Sequence, residues 1–430
     1  MDVETDVAIV GAGVAGLAAA RSLTRFGIRC CLLEAAPVVG GRLRTLRRPG
    51  WEMPIELGAE FVHGRPGPTL ALDGGAIGLV AVPEHRVCVD SKVHSLLDTW
   101  PRFARALAGA RDAPSAESVA QYLAHTSLAE GDHGLVRMLV EGYHAAPTTD
   151  VSVQVVARDA EKVAADFRQY RTADGYDRVL ASLEHGISAD QCQIELGARV
   201  RRVRWRPEQV TLEGEGHSGS FRVRSKRALV SVSLGVLQTR ADQGGIHFDP
   251  LPAEFQRALS LLAMGHVLRV VLRFERTPWP RTPDGLEASF VHVPNARFGT
   301  VWREARASQV QITAWAGGPP ARELSGLDEP ALLDEALASV ARATSTSVGT
   351  CRAQLIEAHF HDFNRDPLTR GAYSYVRPNG EHAAESLAQP WQETLFFAGE
   401  ALDLQYPSTV AGALGSGEHT ARRLISTWRH

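Results

Sequence analysis

Three glycines and an acid carry the first chemical signal in this chain. They are Gly11, Gly13 and Gly16 in Val7-Ala-Ile-Val-Gly11-Ala-Gly13-Val-Ala15-Gly16, and Glu34 at the end of Cys30-Cys-Leu-Leu-Glu34. A glycine at the first position permits a tight turn, one at the second lets main chain approach a pyrophosphate, and one at the third lets a helix pack closely on a strand. The helix that follows, with Ala15 in its first turn, turns free N–H groups and its positive dipole end toward phosphate. Glu34 stands where a carboxylate accepts the two hydroxyls of an adenosine ribose. Glycine turns also serve plain strand-to-helix corners, so the weight comes from context. Here an apolar strand precedes the turn, an Ala/Leu-rich helix follows, and the acid closes the next strand. That is a dinucleotide-binding βαβ unit.

The next residues extend the same chemistry. In Ala35-Ala-Pro-Val-Val-Gly40-Gly41-Arg42-Leu-Arg44, paired glycines again allow backbone near phosphate and Arg42 can neutralise it with a fork of donors. An acid followed by Gly-Gly-Arg points away from nicotinamide enzymes and toward FAD proteins. Ile55-Glu-Leu-Gly58-Ala59-Glu60-Phe61-Val62-His63-Gly64 reads as a short strand ending in small residues, which would let a flat ring lie close to the main chain.

The elements that position these residues must come from a large chain. With 430 residues, two domains are expected, and 44% hydrophobic with 22% charged residues suits a globular protein with a sizeable core. The formal charge of −3 and the lack of a long basic run argue against nucleic acid or an anionic membrane as partner. No apolar run has the length of a membrane span. The first predicted strand begins by about Asp6, which leaves no room for a signal peptide. Cys30, Cys31, Cys88, Cys192 and Cys351 form neither a metal motif nor a disulfide framework, and a cytoplasmic setting is expected. No metal constellation, nucleophile elbow or phosphate-transfer loop is found.

Two late motifs, Leu395-Phe-Phe-Ala-Gly399-Glu400 and Tyr406-Pro-Ser-Thr409-Val410-Ala-Gly412-Ala-Leu-Gly-Ser-Gly417, join Gly-Gly-Arg and Gly-Ala-Glu-Phe-Val-His-Gly. With them the chain resembles, over nearly its whole length, the flavin amine oxidase family of monoamine oxidases, polyamine oxidases and lysine-specific histone demethylases. It stands nearest the polyamine oxidase branch. The resemblance implies an α/β architecture, a Rossmann-like FAD-binding domain interleaved with a mixed α+β substrate-binding domain. The FAD-binding parts are 1–78, 182–235 and 390–430, and the substrate parts are 79–181 and 236–389. Sequence pattern agrees in outline. Residues 79–181 are mostly amphipathic helix, as in Trp100-Pro-Arg-Phe-Ala-Arg-Ala-Leu and Leu135-Val-Arg-Met-Leu-Val-Glu. Gly175-Tyr-Asp-Arg-Val-Leu-Ala-Ser-Leu resembles the helix leading back to the cofactor. Residues 194–205, 228–235, 267–275, 309–315 and 372–376 read as strands. Gly317-Gly-Pro-Pro320 reads as a loop.

The resemblance also assigns roles. Glu400 meets the ribityl or phosphate part of FAD, and Thr409 and Val410 contact the ring, with a helix starting near Thr409 aimed at its N1/O2 region. Gly41, Gly58, Ala59, Glu60, Phe61 and Gly399 belong to the same cofactor-binding set. Val200 meets the adenine through its backbone, or is plain sheet core. Tyr373, in Arg370-Gly-Ala-Tyr373-Ser-Tyr375, supplies an aromatic wall beside the flavin, or packs as a strand residue. Thr409 replaces the second tyrosine of the monoamine oxidases, so an aromatic sandwich is expected to be incomplete. Ala372 replaces their flavin-binding cysteine, so FAD is expected to be noncovalent. Arg269 replaces the lysine that holds a water near flavin N5, and it is bulkier and planar. This places efficient use of oxygen in question, unless Arg269 is simply a structural ion pair. His63 would orient substrate or bond a backbone carbonyl. Glu141 and His144 are further cavity candidates, with a helix-surface position the alternative for Glu141.

The expected activity is FAD-dependent oxidation of a small-molecule amine. Hydride passes from the carbon beside nitrogen to N5, and oxygen or another acceptor takes the electrons. A desaturase or biosynthetic oxidase acting on a C–C or amide C–N bond is the first alternative. A flavin-bound protein without turnover is the second.

Overall fold

The computed structural model describes residues 2–63, 78–82, 86–89, 92–129, 131–166, 168–217, 219–276, 279–280, 287–288, 290–306 and 309–428. The apolar run at the start forms the strand Asp2–Val10, whose residues Val7 to Val10 are buried. It begins earlier than the expected Asp6, because Asp2 to Thr5 run parallel beside Arg222 to Ser225. The helix Val14–Arg25 and the strand Cys30–Glu34 complete the βαβ unit, with the two strands parallel.

Around this unit grows an eight-stranded sheet. Its order is Cys192–Leu196, Cys30–Glu34, Asp2–Val10, Gly219–Val230, Gln209–Gly216, Arg199–Arg206 and His247–Asp249, with Leu395–Phe397 also paired to Gly219–Val230. Central strands buried on both faces need near-continuous apolar sequence, which Val7-Ala-Ile-Val and Ala228-Leu-Val supply. The reading of 228–235 as one strand is corrected. The strand ends at Val230, where Ser231 turns away with its hydroxyl donating to the Gly11 carbonyl at 2.9 Å. Ser233 then caps the short helix Leu234–Leu237.

The C-terminal helix Val410–Ser426 lies against Val14–Arg25. Small residues set the approach. A methyl at Gly417 would come within 2.2 Å of the Ala15 carbonyl oxygen, and one at Gly16 within 1.9 Å of that of Gly11. Arg21 and Glu418 join the helices at 2.8 Å. Leu17 and Leu23 are fully buried in the contact, each contributing roughly 1.5–3 kcal/mol. The two ends of the sequence thus share one core.

The second large sheet runs Leu355–Phe360, Val267–Phe274, Gln309–Gly317, Thr300–Arg306, Phe290–His292, Arg86–Val89 and Lys92–Ser95. In the antiparallel register Arg269 stands opposite Trp315, and Thr313 lies opposite both Val271 and Trp302. The helix Glu329–Ala343 packs its Leu332, Leu337 and Val340 on Leu272, Ile312 and their neighbours. The stretch 317–320 is helical from Gly318 rather than a loop. Its prolines occupy the first positions of the helix Gly318–Leu324, where a missing N–H costs nothing. A helical layer, Leu96–Ala106, Val119–His125, Asp132–Tyr143 and Val153–Ala165, forms its own core around Phe103 and Val140. No described helix is long and apolar enough to cross a membrane.

The Gly16 contact is purely steric. Gly16→Ala should destabilise the protein by about 1–3 kcal/mol, as overpacking does. A lowered denaturant midpoint at unchanged slope checks this.

Candidate active site

The helix Val14–Arg25 begins at Gly13, which has extended φ/ψ and no side-chain cap, so the first-turn N–H groups are left for a ligand. Gly11 makes the preceding turn at φ +100°, a conformation that favours glycine. A methyl at Gly13 would meet nothing within 4 Å. The space above it is a long cavity bounded by Gly11, Gly13, Ala15, Gly41 and Arg42. Beyond the strand end, Glu34 accepts the Ala12 N–H and the Ala36 N–H, each at 2.7 Å, one on each oxygen. Burial raises its carboxyl pKa, and the backbone bonds oppose that rise. Each oxygen keeps a further lone pair for a hydroxyl donor. Val200 lines the cavity at this end, beside Arg199.

The other end of the sequence meets the same cavity. Thr409 accepts the Gly412 N–H at 3.0 Å and donates to the Tyr406 carbonyl at 2.7 Å, so it caps the helix Val410–Ser426. Thr409, Val410 and Gly399 all line the cavity, which therefore faces two helix N-termini. Both ends attract negative charge. Glu400 is buried and lines it too, but its oxygens are engaged. Arg42 donates to one at 2.7 Å and the Ser374 hydroxyl to the other at 2.6 Å. Arg42 also donates to the Ala372 carbonyl at 2.7 Å. One ion pair thus joins three distant segments at the cavity wall.

At the far end the lining residues are Gly58, Ala59, Arg269, Trp315, Ala372 and Tyr373. The Tyr373 hydroxyl donates to the Tyr143 carbonyl at 2.8 Å, and burial pushes its phenol pKa up, so the ring is neutral. Arg269 is buried and donates to the Gly58 carbonyl at 2.7 Å and to Glu60 at 2.5 Å. Its Nε has no hydrogen-bond partner. Glu60 also accepts from Arg171 at 2.6 Å and from the Trp302 indole at 3.1 Å. Burial alone would raise the Glu60 pKa, but Arg171 and Arg269 outweigh it and hold the carboxyl below its ordinary value. The guanidinium carbon of Arg269 lies 5.6 Å from the Trp302 ring centre, and Trp302 packs on Trp315 at 5.7 Å.

Of the residues singled out from sequence, Gly16, Glu60, Phe61 and His63 do not line this cavity. Gly16 spaces helix from turn, Glu60 sits behind Arg269, and Phe61 packs on Trp302 at 5.4 Å with Arg171 over its ring. His63 meets the Tyr143 ring edge-on at 5.7 Å. Glu141 and His144 lie near the end of the helix Asp132–Tyr143, outside the lining, and Gly64 falls outside the described residues. Trp315, Ser374 and Ser231 are cavity or support residues that sequence reading missed. Alternation along 309–315 puts Trp315 on the face of Thr313 and Gln311, yet only the strand pairing reveals that Arg269 shares it. No cluster that could hold a metal occurs among the described residues.

The comparisons agree with this geometry. Residues 82–425 match the family described as flavin containing amine oxidoreductase, and residues 9–71 match an NAD(P)-binding Rossmann-like domain. Lysine-specific histone demethylase 2 of Homo sapiens is 24% identical over 98% of this chain and 53% of its own length. The chain thus spans about half the length of that relative. Polyamine oxidase 2 of Arabidopsis thaliana is 25% identical over 96% of this chain and 86% of its own. Among solved structures, a putrescine oxidase variant superposes with a TM-score of 0.83 at 21% identity, covering 99% of this chain and 100% of that one. Cyclohexylamine oxidase from Brevibacterium oxydans gives 0.81 at 19% identity, covering 98% and 99%. The architecture is therefore a Rossmann-like domain joined to an amine oxidase domain.

Two variants separate cavity from core. Gly13→Ala should still fold, at a cost of roughly 0.5–1.5 kcal/mol, since Gly caps a helix better than Ala while the added methyl meets nothing within 4 Å, and it should weaken binding of the dinucleotide. Equilibrium dialysis and a denaturant titration read the two effects apart. Glu56, which accepts the Tyr176 N–H and the Thr45 hydroxyl, each at 2.8 Å, has its carboxyl pushed by burial from 4.5 to about 7. A folded pKa above the unfolded one means that its stabilising contribution is complete below 4.5 and lost as pH rises through about 7. Glu56→Gln should therefore gain stability relative to the parent across that window, measured by denaturant titration at its two limits.

Proposed function

The chain belongs to the flavin containing amine oxidoreductase family and its cofactor is FAD, and on that premise we propose that it oxidises an amine at the carbon beside nitrogen. The observation that carries the reading is a single cavity joining both sequence ends, anion-attracting at the two helix N-termini and aromatic at Tyr373 and Trp315. The five-segment division into FAD-binding and substrate parts belongs to the same reading.

When bound, FAD would supply the two-electron acceptor for a hydride from the carbon beside a neutral nitrogen, and water would hydrolyse the resulting protonated imine to an aldehyde and the residual amine. The chain's own residues place and isolate that chemistry. The turn from Gly11 to Gly13 and the start of the first helix would hold the pyrophosphate, Glu34 would accept ribose hydroxyls, and the Val200 main chain would meet adenine. Arg42, with Gly41, adds positive charge along the phosphates, steered by Glu400. The positive end of the helix starting at Val410, which faces the cavity, would favour the negative charge that gathers on a bound flavin on reduction. Gly58 and Ala59 let the flat ring lie near main chain. Ala372 offers only a methyl group, which supports noncovalent binding. Tyr373, fixed by its bond to Tyr143, walls the reacting end.

Arg269 shapes what happens to the electrons. Its guanidinium is held in one place by Gly58 and Glu60, and arginine donates but does not accept protons. A lysine could turn about a bound water, whereas this arginine offers a water only the Nε that has no partner, at a fixed place and so with a different geometry. Oxygen, or a different acceptor, then completes the cycle.

Anaerobic mixing with primary, secondary and polyamine substrates tests the proposal: bleaching of the flavin absorbance by an amine is expected, and bleaching by none of them overturns it. Bleaching by an alkene precursor or an amide instead would favour a desaturase or biosynthetic oxidase. Arg269→Lys should speed reoxidation by oxygen by an order of tenfold, about 1.4 kcal/mol in barrier, with a smaller effect on reduction. Stopped-flow mixing of the reduced variant with oxygen checks this, and an unchanged or slower rate would show that residue 269 does not govern the oxygen step.

A further inference from the structure

The strand Arg199–Arg206 carries a bulge. Val200 pairs with Gly214 and Arg202 with Glu213, which leaves Arg201 as the extra residue between them. A bulge re-aims the side chain it carries, and Arg201 comes to lie beside Arg199. Two further irregularities meet it there. Gly244, which follows the turn Ala241–Gln243, has φ +90°, and Arg370 has φ +54°, a left-handed conformation that disfavours an arginine. Together these departures bring three guanidiniums around one point. A methyl added to Gly244 would find Arg199 Nη2 at 3.0 Å, Arg370 Nη2 at 3.5 Å and Arg201 Nη1 at 4.0 Å.

The three charges are poorly compensated. Arg199 donates to the Gly244 carbonyl and Arg370 to that of Gln243, each at 2.7 Å, so both are anchored by neutral acceptors. Among the described residues Glu215 alone pairs with any of the three, 3.2 Å from Arg201, and it is exposed. Neighbouring acids are taken, Asp242 by Arg240 at 3.0 Å and Glu213 by Arg204 and Arg222. Burial first, and then Arg201 and Arg370, holds the Arg199 pKa below its ordinary value, yet a guanidinium keeps its proton at any working pH. Titration therefore cannot relieve the repulsion, and an anion can.

Arg199 and Gly244 line the long cavity with Ala198 and Val200, at its adenosine end. The donors allotted above to the cofactor's diphosphate are the turn at Gly11 and Gly13, the first helix and Arg42, so these three arginines are surplus to it. From this convergence we propose that Arg199, Arg201 and Arg370 form a second anion site, at the rim of the cavity, for a compact tetrahedral oxyanion of the phosphate class. Each guanidinium carries five N–H donors in a planar fork that matches phosphate, and the backbone carbonyls take only one or two of them. Gly244 puts no side chain into the space between the forks. Free phosphate and the phosphate of a nucleotide share this chemistry. The site goes beyond the amine-oxidising reading and stands or falls without it.

The test titrates the FAD-loaded protein with inorganic phosphate by isothermal calorimetry, in chloride buffer at constant ionic strength. One phosphate per chain is expected, with half-saturation at about 1 mM. Arg201→Gln and Arg370→Gln should each weaken binding about tenfold, the size of one charge-assisted hydrogen bond. Arg201 is half-exposed, so its variant keeps the test valid should Arg370→Gln fold poorly. Arg352→Gln removes an exposed arginine paired with Asp334 on another face and should bind phosphate like the parent. AMP binding at least tenfold tighter than inorganic phosphate supports the site and assigns it to phosphate carried on a nucleotide, and equal or weaker binding supports it as a site for the free ion. No saturable heat in the parent overturns the proposal, as does equal affinity in the parent and both site variants. An equal loss in Arg352→Gln shows a general charge effect and also overturns it. Phosphate bound only by the apoprotein and displaced by FAD gives the arginines to the cofactor and removes the second site.

Discussion

The structure depends on how closely two helices can approach. Val14–Arg25 and Val410–Ser426 come from opposite ends of the sequence, and their crossing is set by Gly417 against the Ala15 carbonyl, with Gly16 seated on the Gly11 carbonyl. A larger side chain at Gly417 would push the helices apart, and one at Gly16 would push the first helix off its own turn, displacing the N-termini that face the cavity. Because the approach is close, two positive dipole ends and Arg42 converge on one elongated space. Such a concentration of donors is poorly satisfied by neutral partners and well satisfied by a diphosphate. Binding of that anion to the native state alone stabilises the fold by mass action. Packing of small residues is therefore what makes the protein a holder of a dinucleotide.

A second constraint governs the reacting end. A buried guanidinium is tolerated only if it is paired and hydrogen-bonded, since removing a charge from water costs several kcal/mol. Arg269 meets this through Gly58 and Glu60, and Glu60 in turn is balanced by Arg171 and the Trp302 indole. The network extends to Glu304, 3.8 Å from Arg171, and so reaches less buried ground. Burial drives the Glu304 pKa up while that of Glu60 is held down, so charge is concentrated at the pair behind the cavity wall. A lysine in place of Arg269 would need fewer partners. The arginine, by needing more, fixes the positions of Gly58 and Glu60 and so the wall itself.

What could be read from sequence follows the range of the interactions. The βαβ unit was legible because strand, turn, helix and acid lie within one short stretch and each has its own local signal. Glu34 and the helix start at Val410 were legible for the same reason. The strand that stops at Val230 was not, because its end is decided by Ser231 bonding to carbonyls of the first strand and turn. Likewise 317–320 carried loop residues, and the prolines there open a helix. The partnership of Arg269 with Glu60 spans 209 positions, and no local pattern announces it. Trp315 was read only as a strand residue, since alternation gives two faces but not their surroundings.

The departures at 269 and 409 make better sense beside Trp315 than singly. Thr409 has a structural task, closing the first turn of the last helix with its hydroxyl, and a tyrosine there would offer no such cap. An aromatic surface at the reacting end must then come from elsewhere, and the strand Gln309–Gly317 brings Trp315 to the cavity beside Arg269. The large arginine narrows the space that a lysine would leave open, and the tryptophan stands across from it on the same face of the strand pair. Arg269 and Trp315 are each fixed by a bond to a backbone carbonyl, at Gly58 and Gly142.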